Sequence, residues 1–277
     1  MKAFFVFLSA IFLSGCSDLF FYPAIGTLAT PEYVGLKYEN LSLKSENGAR
    51  LHAWLVKSEG VSKGTVVFFH GNAENITTHT FGVMFLCRAG YDVLAVDYQG
   101  YGDSEGDPSF DKMAQDIRAA TDYALDTLTY PVFVLGQSLG ASMTAVALAD
   151  YARQNEIAGI VFDSGFSKMR RIAREKIASV WLLWPFQYPL SFLVSEKNPE
   201  KAVAKIAVPK LFLASETDDV VPFSHTRRLY AAALEPKKML ITKTGAHIMT
   251  LHTTEGRAAL LKFLDENKKL KNQRVKK

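Results

Sequence analysis

Val132-Phe133-Val134-Leu135-Gly136-Gln137-Ser138-Leu139-Gly140-Ala141-Ser142-Met143-Thr144-Ala145-Val146-Ala147-Leu148 passes from a β-branched, aromatic run through a Gly-x-Ser-x-Gly pentapeptide into good helix formers. The pattern predicts a strand, a sharp turn and a helix. Such a turn holds its central residue in a strained backbone conformation, and only glycines two positions before and after leave room for the chain to double back. The Ser138 hydroxyl then stands clear of the sheet, at the positive end of a helix that begins at Leu139. A bare GxSxG arises by chance in roughly one chain in ten of this length, so the setting between strand and helix carries the specificity.

Outward from this turn, short and nearly continuous apolar runs recur at Val66–His70, Val93–Asp97, Gly159–Asp163, Lys210–Ala214 and Lys238–Thr242. Continuous runs are what strands buried on both faces require, and their alternation with amphipathic stretches predicts an α/β fold with a mostly parallel, doubly wound sheet. Phe110, Met113, Ile117, Ala120, Ala124 and Leu128 recur at steps of three and four, one apolar helix face. Gly35–Leu43 and Leu51–Lys57 read as an antiparallel hairpin ahead of the parallel strands. Between the strands ending near Asp163 and Ala214, at about 164–207, lies an insertion rich in aromatics, including Trp181, Trp184, Phe186 and Phe192. It is read as a small apolar cap, either packed on the sheet or lying as a lid over the serine.

A serine hydroxyl is a poor nucleophile at neutral pH and needs a histidine to take its proton and a carboxylate to hold that imidazole. Of six histidines, His247 follows the last strand and is preferred; His252 is second, while His225 falls in a helix and His70 ends a strand where it supports a loop. The carboxylate is expected after Lys210–Ala214, where Asp218 and Asp219 are adjacent candidates. Asp163, ending another strand, is an alternative acid position.

Composition narrows the field further. With 277 residues, 48% apolar and 22% charged, the chain can bury one large core, and a single catalytic domain is expected. The two cysteines make no scaffold, and no CxxC, HExxH or GxxxxGK[ST] is present, so no metal, no cofactor and no nucleotide hydrolysis are expected. Gly100, Gly102 and Gly106 have the wrong spacing for a dinucleotide loop. Cys87 lies in an apolar helical pattern and is read as core. The net charge of +4 is misleading: six cations crowd residues 267–277, and setting those and Lys2 aside leaves 25 basic against 28 acidic residues. Nucleic-acid binding is not expected of such a body.

Residues Ala3 to Leu13 form an apolar run too short to span a bilayer, ending in Leu13-Ser14-Gly15-Cys16. This resembles a bacterial lipobox. It implies a signal peptide over 1–15, acylation of Cys16, a domain over 16–266 and a basic tail over 267–277, with the protein held in the cell envelope by membrane lipid. In a Gram-negative cell the resemblance points to the outer membrane.

Four motifs then carry a wider resemblance: His70-Gly71-Asn72-Ala73, Asp97-Tyr98-Gln99-Gly100-Tyr101-Gly102-Asp103-Ser104, the serine turn, and Asp218-Asp219-Val220-Val221-Pro222. The chain after Cys16 resembles the α/β-hydrolase superfamily, in the branch with depalmitoylating hydrolases and their bacterial relatives. The resemblance implies Ser138, Asp218 and His247 as catalytic residues, and backbone N–H groups of Asn72 and Leu139 as the oxyanion hole, with the side chain of Asn72 mattering less than its backbone. It also marks a departure, since Gln99 stands where arginine is common. The expected activity is hydrolysis of carboxylic esters or thioesters by a Ser-His-Asp acyl-enzyme mechanism, on a small-molecule ester or acyl substrate that is lipid-like or aromatic. An amidase or peptidase of the same fold, or a catalytically silent envelope binding protein, is the alternative.

Overall fold

A computed structural model describes residues 20–194 and 196–268. The signal segment, Cys16 and residues 269–277 of the basic tail lie outside these. The apolar runs form one eight-stranded sheet: β1 (Tyr38–Lys44), β2 (Arg50–Val56), β3 (Thr65–Phe69), β4 (Asp92–Val96), β5 (Val132–Gln137), β6 (Gly159–Asp163), β7 (Lys210–Ser215) and β8 (Lys237–Thr242). Their order is β1-β2-β4-β3-β5-β6-β7-β8. β1 and β2 form the expected hairpin and β2 meets β4 antiparallel; every other pairing is parallel. The expected limits of the parallel strands shift by a residue at most, so that His70 lies just beyond β3, while the first hairpin strand begins three residues later than expected, at Tyr38.

β3 through β7 are buried along their whole length, which explains their unbroken apolar character. Successive side chains still point to opposite faces. Val67, Phe69, Val134 and Phe162 enter a core shared with helices α1 (Phe110–Thr127) and α2 (Leu139–Leu148). Val66, Phe68, Phe133 and Val161 enter a second core, closed by α5 (Thr254–Asn267) through Leu260, Phe263 and Leu264. α1 starts where the Ser109 hydroxyl accepts from the Lys112 N–H at 3.2 Å, and its predicted stripe, Phe110 to Ala124, is the buried face. Cys87 is buried, in a four-residue helical turn, and burial pushes its thiol up to about 12, too high for a reactive thiolate.

Gln99 replaces an ionic anchor with an amide network. Its backbone N–H and side-chain Nε2 donate to the two oxygens of buried Asp116, at 2.9 and 2.6 Å, and its Oε1 accepts from Asn47. The loop after β4 is thereby tied to α1 without a buried cation.

After β6 come α3 (Met169–Ser179) and then the aromatic segment 180–194; α4 (Ser224–Ala232) follows β7. α3 is docked through Met169, Ile172 and Ala173 and through Glu175, whose carboxylate meets His225 Nε2 of α4 at 2.7 Å. The segment beyond it packs into the body only near its end, at Ser191 and Val194, and Trp181 is 84% and Trp184 60% exposed. No helix among the described residues is long and apolar enough to cross a membrane.

Candidate active site

β5 delivers Ser138 into a turn with φ 54° and ψ −113°, a conformation that non-glycine residues rarely adopt. The packing around the turn holds it there. A Cβ at Gly140 would come 2.3 Å from the Phe69 carbonyl oxygen and 2.4 Å from that of His70, and one at Gly136 would come 2.7 Å from the Ala141 backbone. The Ser138 N–H donates to the Asp163 carbonyl at 2.8 Å, pinning the turn to the end of β6.

The loops after β7 and β8 are stapled to each other, because the Thr217 hydroxyl donates to the Gly245 carbonyl and accepts from the Gly245 N–H, both at 3.1 Å. That closure brings His247 Nδ1 within 2.8 Å of Asp218 Oδ2. The other oxygen, Asp218 Oδ1, accepts from the N–H groups of Val220 and Val221 at 2.9 and 2.8 Å. Burial alone would push the Asp218 carboxyl up; the His247 hydrogen bond, its charge and the two N–H groups outweigh this and hold it below the usual carboxylate range. Nδ1 donating to a carboxylate leaves the lone pair of the neutral ring on Nε2, which is buried with no hydrogen-bond partner among the described residues.

The competing candidates are placed elsewhere. Asp219 is exposed, beside the Lys176 ammonium through its carbonyl. Asp163 is fully buried and bonds to Gln137 Nε2 at 2.9 Å and the Ser164 hydroxyl at 3.2 Å, not to His247. His225 is taken up by Glu175, and His252 is exposed. His70 donates from Nδ1 to the Gly71 carbonyl at 2.8 Å, while its Nε2 lies 3.4 Å from Asp97 Oδ1, so it braces the loop after β3.

That loop carries Asn72. Its Nδ2 donates to the Phe20 carbonyl at 2.6 Å, and the Tyr101 hydroxyl reaches its carbonyl at 2.8 Å and its Oδ1 at 3.0 Å. The side chain of Asn72 is therefore a clamp, which its reading as a backbone donor alone had passed over. Residues Tyr22–Pro23 pair in parallel with Ala73–Glu74, and Asn75 Nδ2 donates to the carbonyls of Ala24 and Gly26. An N-terminal strap thus lies across the loop. Leu139, the other expected donor, is the first residue of α2, where N–H groups have no intrahelical acceptor.

His79 was not singled out in the sequence, where it sits in an unremarked threonine-rich stretch. Its ring lies over Gly71: a Cβ there would come 3.3 Å from His79 Cε1 and 3.6 Å from Ser138 Cβ. Burial, followed by the nearby His70, lowers it to about 4, so it is neutral near pH 7 while Nε2 donates to the Ala73 carbonyl at 2.9 Å.

Burial also raises Asp163 to about 6. The folded chain then holds a proton that the unfolded chain has released between about pH 4 and 6, so stability should fall as pH rises through that window and level off above it. Asp163→Asn is expected to remove this slope and to gain on the order of 2 kcal/mol at pH 7, read from urea midpoints at pH 4.5 and 7. An unchanged slope would show that Asp163 ionises normally.

Residues 60–192 match the family described as Serine aminopeptidase, S33. The chain is 30% identical over 225 residues to the uncharacterised protein YfhR of Salmonella typhi, covering 76% of this chain and 74% of that one. The fold of the Pyrococcus furiosus esterase PF2001 is similar, with a TM-score of 0.73 at 23% identity over 90% of this chain and 97% of that chain. Identity reaches 32% over 217 residues with the alpha/beta hydrolase domain-containing protein WAV2 of Arabidopsis thaliana, 74% of this chain and 69% of that protein. Identity of this degree over about three quarters of the chain marks common descent, and the chain belongs to the α/β-hydrolase family.

Proposed function

We propose that the protein is a serine hydrolase of carboxylic esters or thioesters, working through an acyl-enzyme on Ser138. The observation that carries this reading is the Asp218–His247 hydrogen bond, which leaves a basic Nε2 without a partner in a site whose serine is held in a strained turn. His247 takes the Ser138 proton as the hydroxyl attacks the carbonyl carbon, and returns it to the leaving group. Asp218 holds the ring and stabilises the imidazolium. Backbone N–H groups of Asn72 and Leu139 receive the oxyanion, a role in which one donor is worth about 3 kcal/mol. Water then repeats the sequence on the acyl-enzyme and frees Ser138.

Acyl substrates suit the apolar surroundings, with Val220 and Met249 exposed in the loops of Asp218 and His247. Cleavage of amides is the second reading, favoured by the match to a family described as serine aminopeptidases. Anchoring through acylated Cys16 in a bacterial envelope completes the proposal.

The test is a fluorophosphonate probe on the full chain, followed by matched p-nitrophenyl esters and aminoacyl p-nitroanilides. Labelling with ester turnover exceeding anilide turnover by about a hundredfold or more is expected. The reverse preference would make the protein a peptidase, and a folded chain that neither labels nor turns over would make it a binding protein.

A further inference from the structure

Most of the exposed large apolar side chains lie at one end of the molecule. Among the described residues, all but Tyr33, Val34, Val61 and Leu234 belong to the strap (Phe20–Leu28), the segment 180–194 or the two loops of Asp218 and His247. In the strap, Tyr22, Ile25 and Leu28 are each more than half exposed; in the segment after α3, so are Trp181, Leu182, Trp184, Phe186, Tyr188 and Phe192. These stretches adjoin the carboxyl ends of parallel strands: the strap pairs with the loop after β3, the aromatic segment follows β6 and α3, and the two loops follow β7 and β8. Val61 and Leu234 precede β3 and β8, at the opposite edge, and Tyr33 and Val34 adjoin Arg88 ahead of β4. Apolar surface has therefore collected around the edge at which Ser138 stands, where a monomer in water would keep polar groups.

The chemistry of this surface matches a lipid interface. Residues 180–194 contain no charged side chain, and their Trp and Tyr have the amphipathic rings that settle at headgroup depth. Beside them α3 offers Arg170, Arg171, Arg174 and Lys176 against the single carboxylate of Glu175. Arg171 pairs with Glu175 and Arg170 with Glu196, but Arg174 lies 5.0 Å over the Tyr188 ring and Lys176 meets the Asp219 carbonyl, neither facing a carboxylate among the described residues. An apolar patch flanked by cations is complementary to acyl chains beneath anionic headgroups. The chain path agrees: the strap is seated from Phe20 onward, and four extended residues reach at most about 14 Å, so an acylated Cys16 would hold this same end to the bilayer.

We propose that the edge carrying the strap, the aromatic segment and the two catalytic loops docks on a bilayer containing anionic lipid, so that the site opens toward the headgroups and acyl substrates enter from the membrane. The docking goes beyond the proposed chemistry and does not depend on it; the entry of substrate rests on that reading.

Tryptophan fluorescence tests the docking. Trp54 is buried in the core, whereas Trp181 and Trp184 project from the proposed surface. The full chain is mixed with vesicles of phosphatidylcholine and phosphatidylglycerol, with and without bromine on the acyl chains. Bromine is expected to quench about half of the emission or more, less at high salt or without phosphatidylglycerol. A variant with Trp181→Phe and Trp184→Phe should keep the Trp54 emission and lose the quenching. Ser138→Ala should quench like the wild type, which separates failure of docking from failure of the hydrolase reading. Chain that floats with vesicles but is not quenched overturns the proposal, because an anchor alone would then hold it with this face turned away. Failure to bind vesicles overturns it as well. So does an unquenched chain that sediments as a dimer and reverts to monomer on Trp181→Ser, since the patch would then be covered by a second copy.

Discussion

Ser138→Ala is expected to lower kcat toward a p-nitrophenyl ester by about 10⁴ to 10⁶ and to abolish fluorophosphonate labelling, while the thermal midpoint moves by no more than about 2 °C. The size of the loss follows from what remains. Without the hydroxyl no acyl-enzyme forms, and catalysis falls back on oxyanion stabilisation and substrate positioning. Stability is spared because the alanine keeps a Cβ and the turn is held by backbone contacts, the Ser138 N–H to Asp163 and the Ser142 N–H to the Ser138 carbonyl. His247→Ala should cost a similar factor, and combining the two should add little, since a nucleophile and its base act as a unit. Initial rates, active-site titration and a melting curve on the same samples decide the matter. A loss of only tenfold in Ser138→Ala would mean that the serine assists another nucleophile.

Gly140→Ala should damage the fold and the site together. The added carbon would lie 2.3 Å from the Phe69 carbonyl oxygen, 2.4 Å from that of His70 and 2.8 Å from the Tyr98 hydroxyl. The first two belong to the end of a central strand and the residue after it, and they cannot yield as a flexible side chain would. A cost of about 3 kcal/mol is expected, which in a domain of this size lowers the melting temperature by about 6–12 °C. Relief of the clash must also part the serine turn from the loop of Asn72, so kcat/KM should drop by at least about a hundredfold even where the variant is fully folded. Gly165→Ala is the contrast: its Cβ would meet the Ala141 and Leu229 side chains at 3.1 and 3.3 Å, and a cost near 1 kcal/mol without loss of turnover is expected. Equal melting temperatures for the two variants would show that the turn tolerates more than its contacts suggest.

What the sequence by itself determined is whatever short-range pattern encodes. Strands β3 to β7 are legible because both their faces are buried and their apolar runs are unbroken, α1 because one stripe of its surface is core, and the turn at Ser138 because strand, glycines and helix formers follow one another within one stretch. The loops expected to hold an acid and a histidine could be located by counting strands. Between the adjacent carboxylates the residues alone left two candidates and the resemblance pointed to Asp218; tertiary structure supplies how it meets His247, through the Thr217–Gly245 staple and the two N–H groups turned onto Asp218. So were the clasp of Asn72 and Asn75 by the strap, about fifty residues away in the chain, the placing of His79 over Gly71, and the Gln99–Asp116 network. The aromatic segment 180–194 reads as a cap, packed on the sheet or lying as a lid, and most of its large side chains stand in solvent in the folded chain. Periodicity reports which side of an element is apolar; it does not report which distant segment will cover that side, or that none will, because burial is decided only when the whole chain has closed around its sheet.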